Sequence, residues 1–333
     1  MNNLINSLAL LPKLAVILAL ILSTNPLPAF AVEGSSAAGP IGGTDVRSAQ
    51  LPPPGVYAAG IATFGEAFNF FDGNGDRIPA FDDLSITPIR GAAAALYVPD
   101  FQIFNGSIGL TGVLPFGQTC GQTFAVTGSE CLSGIGDPYV ELSWSRFFGK
   151  LRPSKHENAF PIAEGLTVQL GLGVVIPVGA YDVDLAQSNG VTLGNNIWDF
   201  APITGFTYTT SPIFSDGTEI SARFYLNNYL TNPDTEFSTG SLLNVDFAVT
   251  EKIGRFQAGL TGVYIKQVED DRLFGIPLEN DGNRAETLSL GLIGVYDLPK
   301  KGMSIKLKGV TTVFGENVPD TYGISLSFVK KLF

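Results

Sequence analysis

The chain of 333 residues carries 20 lysines and arginines against 31 aspartates and glutamates, for a formal net charge of −11. So acidic a chain is a poor match for nucleic acid as a partner. Charged residues make up only 15% of it while glycine reaches 39 residues, both expected if alternate residues of each strand face hydrocarbon, and a single barrel would use the whole length.

The first residues read as an export signal. Lys13 precedes an apolar run over 14–22, helix-breaking Pro26 and Pro28 follow, and Ala29-Phe30-Ala31 has the small-x-small form of a signal-peptidase site. Cleavage is expected after Ala31, which removes one lysine and no acid. The apolar run falls short of the ~20 residues a spanning helix needs, and no later run is long enough. No cysteine lies just beyond Ala31, which argues against a lipid-anchored lipoprotein. The expected organisation is a signal peptide over 1–31, a leader or plug over 32–55 and a barrel over 56–333. Residues 32–50, rich in Gly, Ser and Ala, either enter the barrel lumen or hang in the periplasm as a disordered leader.

From residue 56 onward the pattern is alternation. About twelve stretches (range 10 to 14) show a period of two between turn signals: 56–72, 84–99, 103–116, 137–149, 165–179, 197–209, 218–229, 240–250, 255–268, 285–297, 302–314 and 321–332. Leu166, Val168, Leu170, Leu172, Val174 and Ile176 alternate with Thr167, Gln169, Gly171 and Gly173. Met303, Ile305 and Leu307 alternate with Ser304, Lys306 and Lys308. The closing stretch sets Tyr322, Ile324, Leu326 and Phe328 against Gly323, Ser325 and Ser327, and the chain ends on Phe333. Apolar side chains into lipid and small or polar ones into a lumen give this pattern in an all-β, antiparallel transmembrane barrel. A β-sandwich shares the period, but its outer face would be solvated.

Connection lengths give an independent test, because outer-membrane barrels have short periplasmic turns and longer extracellular loops. With both barrel ends in the periplasm, the turns 100–102, 251–254 and 298–301 are short and inner. Those at 73–83, 117–136, 180–196, 230–239 and 269–284 are longer and outer. The inner connections 150–164 and 210–217 break the alternation.

Inward parity selects the candidate site. Ile220, Ala222, Phe224 and Leu226 point outward, which leaves Glu219, Arg223 and Tyr225 on the lumen side, joined by Asp246 on the next strand and by Lys306 and Lys308. Arg223 and Asp246 face each other if their hairpin turns near Asp234. They then either neutralise each other or form a pore constriction. Cys120 and Cys131, the only cysteines, are expected to pair as a disulfide in an extracellular loop of an exported protein.

No other pattern points to chemistry. The sequence Asp72-Gly73-Asn74-Gly75-Asp76 resembles the start of a calcium loop, but Arg77 stands where that loop requires Gly, which favours an Asx-rich turn. His156 is the one histidine, in a periplasmic connection away from the rim where a barrel hydrolase would meet lipid, so no enzyme is expected and no cofactor or metal is assigned.

The segments Pro52-Pro53-Pro54-Gly55-Val56-Tyr57, Gly134-Ile135-Gly136-Asp137-Pro138, Ile176-Pro177-Val178-Gly179-Ala180-Tyr181-Asp182, Gly194-Asn195-Asn196-Ile197-Trp198, Gly217-Thr218-Glu219-Ile220-Ser221, Asn232-Pro233-Asp234-Thr235, and Gly262-Val263-Tyr264 through Gln267, Asp270 and Asp271 form a set spread over most of the chain. They resemble a known family, the outer-membrane proteins named for the meta-cleavage pathway of phenol degradation. The chain departs from the family pattern at Val178, where Thr is usual, and at Arg272, where Gly is usual. The resemblance implies uptake of aromatic or other hydrophobic compounds across the outer membrane. The expectation is a narrow passive channel in outer-membrane lipid, assembled by the barrel machinery through its last strand. The alternative is a closed structural or binding barrel filled by side chains.

Overall fold

A computed structural model describes residues 41–122, 129–278 and 284–333. The expected signal peptide, its cleavage position near Ala31 and residues 32–40 of the leader lie outside the described residues.

Twelve antiparallel strands close into a barrel: β1 (Gly55–Phe71), β2 (Ser85–Val98), β3 (Gly106–Gln122), β4 (Tyr139–Arg152), β5 (Ile162–Val175), β6 (Asp199–Thr209), β7 (Gly217–Tyr229), β8 (Leu242–Ile253), β9 (Phe256–Gln267), β10 (Glu286–Leu298), β11 (Met303–Glu316) and β12 (Val318–Lys331). Each strand pairs with its sequence neighbour, and β1 closes the ring on β12 from Tyr57 opposite Lys331 to Phe71 opposite Val318. Closure removes every sheet edge, which a spanning sheet requires because lipid offers no hydrogen-bond partner to a free strand.

Alternation decides which face is which. Leu142, Leu170, Leu260, Leu292, Leu307 and Leu326 are exposed on the outside, while Ser143, Gln169, Thr261 and Lys308, each one residue away in sequence, are buried inside. So broad an apolar belt would be an aggregation surface in water and is ordinary in a bilayer. Ala222 shares the outward parity of Ile220 yet is buried, because its ladder neighbours are Phe206 and Phe247. Inside the barrel, Tyr139, Val175, Ile197, Tyr229 and Leu242 form an apolar cluster towards the end opposite the termini.

Two connections differ from the sequence expectation. The stretch expected as a loop over 117–136 is largely ladder, because β3 runs on to Gln122 and pairs with a short strand, Glu130–Ile135. Cys120 and Cys131 are register partners on this extension and are joined by a disulfide. Gly, Thr, Gln and Ser leave no apolar alternation there to read. The connection expected over 150–164 shrinks to 153–161, since Lys150, Leu151 and Arg152 pair with Glu164, Ala163 and Ile162. Ion pairs from Lys150 (3.2 Å) and Arg152 (3.0 Å) to Glu164 hold that rim.

Candidate functional site in the barrel lumen

Residues 41–50 run inside the barrel, held by inward side chains of β4 and of β6 to β11. Asp246 Oδ1 accepts from the Gly42 amide (2.8 Å), and its Oδ2 accepts from the Thr44 amide (3.1 Å) and hydroxyl (2.8 Å). The Tyr225 hydroxyl lies 2.7 Å from Thr44 Oγ1. Glu219 accepts from the Arg47 amide at 2.8 Å and forms an ion pair with Lys252 at 3.0 Å. Lys306 reaches the Gly43 carbonyl (2.7 Å) and Asp45 (3.0 Å), and Lys308 reaches the Gly42 carbonyl (2.6 Å) and the other oxygen of Asp45 (2.7 Å). Gly42 has φ +72°, and a Cβ there would stand 3.2 Å from the Lys308 ammonium. A side chain would therefore be strained and would crowd the lysine as well.

The inserted segment answers with charges of its own. Arg47 grips Asp297 through two parallel bonds of 3.1 and 2.6 Å and also reaches Gln257. Asp45 is fully buried between the two lysines. Burial would raise its carboxyl, but the Lys306 and Lys308 ammoniums outweigh that and hold it well below the usual carboxylate range. Further along, Ser48 donates to the Ala222 carbonyl (3.1 Å), the Ala49 amide donates to Thr207 Oγ1 (3.1 Å), and Ser145 donates to the Ala49 carbonyl.

Of the candidates chosen by parity, Glu219, Tyr225, Asp246, Lys306 and Lys308 all meet this segment. Arg223 does not. It pairs with Glu141 on β4, which also accepts from the Tyr139 hydroxyl (2.8 Å). Arg223 and Asp246 are opposite in the β7–β8 ladder but are partners of different groups, so their mutual neutralisation is replaced by two separate contacts. Asp45, Arg47, Glu141 and Asp297 were missed in the sequence. Glu141 between outward Val140 and Leu142 carried the parity signal, whereas nothing local marked Asp45 or Arg47.

Beside the segment a cavity of about 1400 Å³ remains. Its far wall is small and apolar, with Ala59 and Ile61 of β1, Ala92, Ala94 and Leu96 of β2 and Val113 of β3. Its near wall is the segment and the charged strands behind it. The lumen is thus two-sided, polar where the segment is tethered and apolar where space is left.

The other sequence candidates lie away from the lumen. Asp72 Oδ1 accepts from the amides of Asn74 (2.8 Å) and Asp76 (3.0 Å), an Asx-rich turn. His156 sits in the 153–161 connection at the termini end, its amide donating to Ser154 Oγ (3.0 Å). Buried Asp216 gathers that end, accepting from Ser154 Oγ, the Lys155 amide and the Gly254 amide at 2.7 to 3.0 Å.

A closed, twelve-stranded antiparallel barrel with an apolar outer belt, a two-sided lumen and an inserted segment defines a β-barrel of the outer-membrane type. The chain belongs to the family described as "Putative MetA-pathway of phenol degradation", whose model matches residues 67–328. Its fold is similar to that of an outer-membrane channel from Pseudomonas putida F1, with 13% identity, TM-score 0.68, and coverage of 89% of this chain and 100% of that one. The transport unit of the autotransporter AIDA-I from Escherichia coli is a looser likeness, at 11% identity and TM-score 0.48, covering 91% of this chain and 96% of the other. No curated relative matches the chain.

Proposed function

We propose that this protein is a passive outer-membrane channel for small hydrophobic or aromatic compounds, with residues 41–50 as its internal restriction. The observation that carries the reading is the two-sided lumen: a cavity of about 1400 Å³ runs between an apolar wall and a segment held mainly by charge-assisted hydrogen bonds. Charge-assisted hydrogen bonds are short, strong and directional, so they hold the segment to one side and leave the cavity as the path. The neighbouring protein is described as an outer-membrane channel, and the family's description, which names phenol degradation, agrees with an aromatic solute. On this reading the export signal is removed near Ala31, the apolar belt contacts outer-membrane lipid, and β12 with Phe333 is presented to the assembly machinery. The protein acts as a channel and not as an enzyme.

A second reading is a closed binding or structural barrel. The bonds that fix residues 41–50 to β4 and to β6 through β11 favour it, since they hold the segment inside the lumen. Flux separates the two. The mature protein in lipid vesicles is expected to pass phenol-sized or alkyl-aromatic solutes, and deletion of residues 32–50 is expected to raise the flux of small neutral hydrophilic solutes. A correctly folded barrel with no flux above protein-free vesicles for any of these, with and without the deletion, establishes the closed barrel instead.

A further inference from the structure

Cations facing the middle of the lumen are nearly all neutralised. Arg223 has Glu141, Lys252 has Glu219, Lys306 and Lys308 share Asp45, and Arg47 of the inserted segment has Asp297. Arg90 is the exception. It points inward from β2, is half-buried, and among the described residues no carboxylate comes within ion-pair distance of it.

Its guanidinium is nevertheless held in place. Nε and Nη2 donate to Thr119 Oγ1 (3.3 and 3.0 Å), and Nη2 also donates to the Thr192 carbonyl (2.8 Å). The ladder partner of Arg90 on β3 is Gly117, with φ +149°, where a Cβ would collide with the Ile89 carbonyl at 2.4 Å and with Arg90 Cα at 2.8 Å. That glycine lets the β3 backbone lie close against Ile89 and Arg90 beside the guanidinium's contact with Thr119. Both N–H groups of Nη1 remain without a protein acceptor among the described residues, and Arg90 lines the cavity. A fixed, uncompensated guanidinium at the edge of an apolar wall is complementary to an anion with an apolar body.

We propose that Arg90 is the recognition point for small monocarboxylates with an apolar body. The carboxylate accepts from Nη1, and the aromatic ring or alkyl chain extends towards Ile61 and Ala92, the near end of the apolar wall. The proposal rests on the channel reading and names one solute class for it. An inorganic anion would satisfy the guanidinium alone and gain nothing from the wall, whereas each CH₂ buried there favours a carboxylate with a chain roughly fourfold.

The test uses the full mature barrel in lipid vesicles at neutral pH, with benzoate and benzyltrimethylammonium as probes of similar ring and opposite charge. Wild type is expected to pass benzoate at least about tenfold faster, the scale of one hydrogen bond to a charged group. Arg90→Gln should bring the ratio near one, and Arg90→Lys should keep most of it. Hexanoate should compete with benzoate at lower concentration than acetate or phosphate. A ratio that Arg90→Gln leaves unchanged overturns the proposal while the channel reading stands, and equal competition by hexanoate, acetate and phosphate overturns the apolar-body assignment. If Arg90→Gln does not assemble, the wild-type ratio and the competition order decide, and a ratio near one overturns it. Passage of neither ion also overturns it, and the neutral-solute flux described above then decides separately whether the channel reading falls too.

Discussion

Asp246 of β8 stands directly opposite Arg223 of β7 in the ladder, yet the two are not an ion pair. The carboxylate turns to Gly42 and Thr44 of the inserted segment, and the guanidinium turns across the lumen to Glu141. A third element entering the barrel thus captures one member of the pair, which makes Asp246 an anchor of the segment and Arg223 part of the wall.

Replacing Asp246 with Asn should therefore loosen residues 41–50 without preventing assembly. Charge-assisted bonds to backbone and hydroxyl donors weaken by about 1–3 kcal/mol in total when the acceptor loses its charge. That corresponds to a rise of roughly fivefold to 150-fold in the displaced form. Single-channel conductance should increase while the heat-modifiable gel shift of a folded barrel is retained. An unchanged conductance in folded protein would show that Asp246 does not restrain the path.

Asp45 gives a pH dependence of definite sign. Its folded pKa is depressed below the usual 3.8, so its contribution to the tether is complete above that value and is lost as pH falls below it. Once protonated, it also removes the ion pairs that Lys306 and Lys308 make with it. Conductance should hold steady from pH 7 down to the usual 3.8 and rise only as the pH is lowered further towards the depressed folded value, and Asp45→Asn should be more open already at pH 7, with a smaller response to acid. A variant whose pH response equals that of wild type assigns the effect to other carboxylates.

The strands were legible because a period of two survives wherever one face meets lipid and the other a lumen. Leu166 to Val174 and Met303 to Lys308 show it residue by residue, and strand ends differ from the expectation mostly by one to three residues. Legibility stopped where the bilayer stops. Lys150 to Arg152 and the extension that bears Cys120 and Cys131 are ladder without apolar alternation, so they read as loops. In the lumen, inward parity can be read for Glu219, Tyr225 and Lys308, but their partners cannot. Asp45 meets lysines at 306 and 308, a contact that exists only once the barrel has closed around the segment.

The disulfide should matter locally. Cys120 and Cys131 are separated by 11 in sequence, so linking them restricts the open chain by an amount on the order of 3 kcal/mol. That restriction acts on the extension beyond the belt. Non-reducing peptide mapping should find the linked pair. A double Cys→Ser variant should still form a heat-modifiable barrel but become cleavable by protease between 120 and 131. Two thiols that alkylate freely in the folded, exported protein would reject the pairing.

The last prediction separates lipid face from lumen face by a single type of substitution. Leu170, in the middle of β5, is 56% exposed on the outer belt, whereas Ser289 of β10 lines the cavity. Leu170→Arg places a guanidinium in hydrocarbon and should cost roughly 2–4 kcal/mol if near the midplane, visible as reduced insertion and a lower urea midpoint in lipid vesicles. Ser289→Arg places the same group in a cavity that can hydrate it, so assembly should persist while solute flux changes. If Leu170→Arg inserts as well as wild type and Ser289→Arg fails to assemble, the assignment of the two faces is reversed, and the channel reading built on the inner one falls with it.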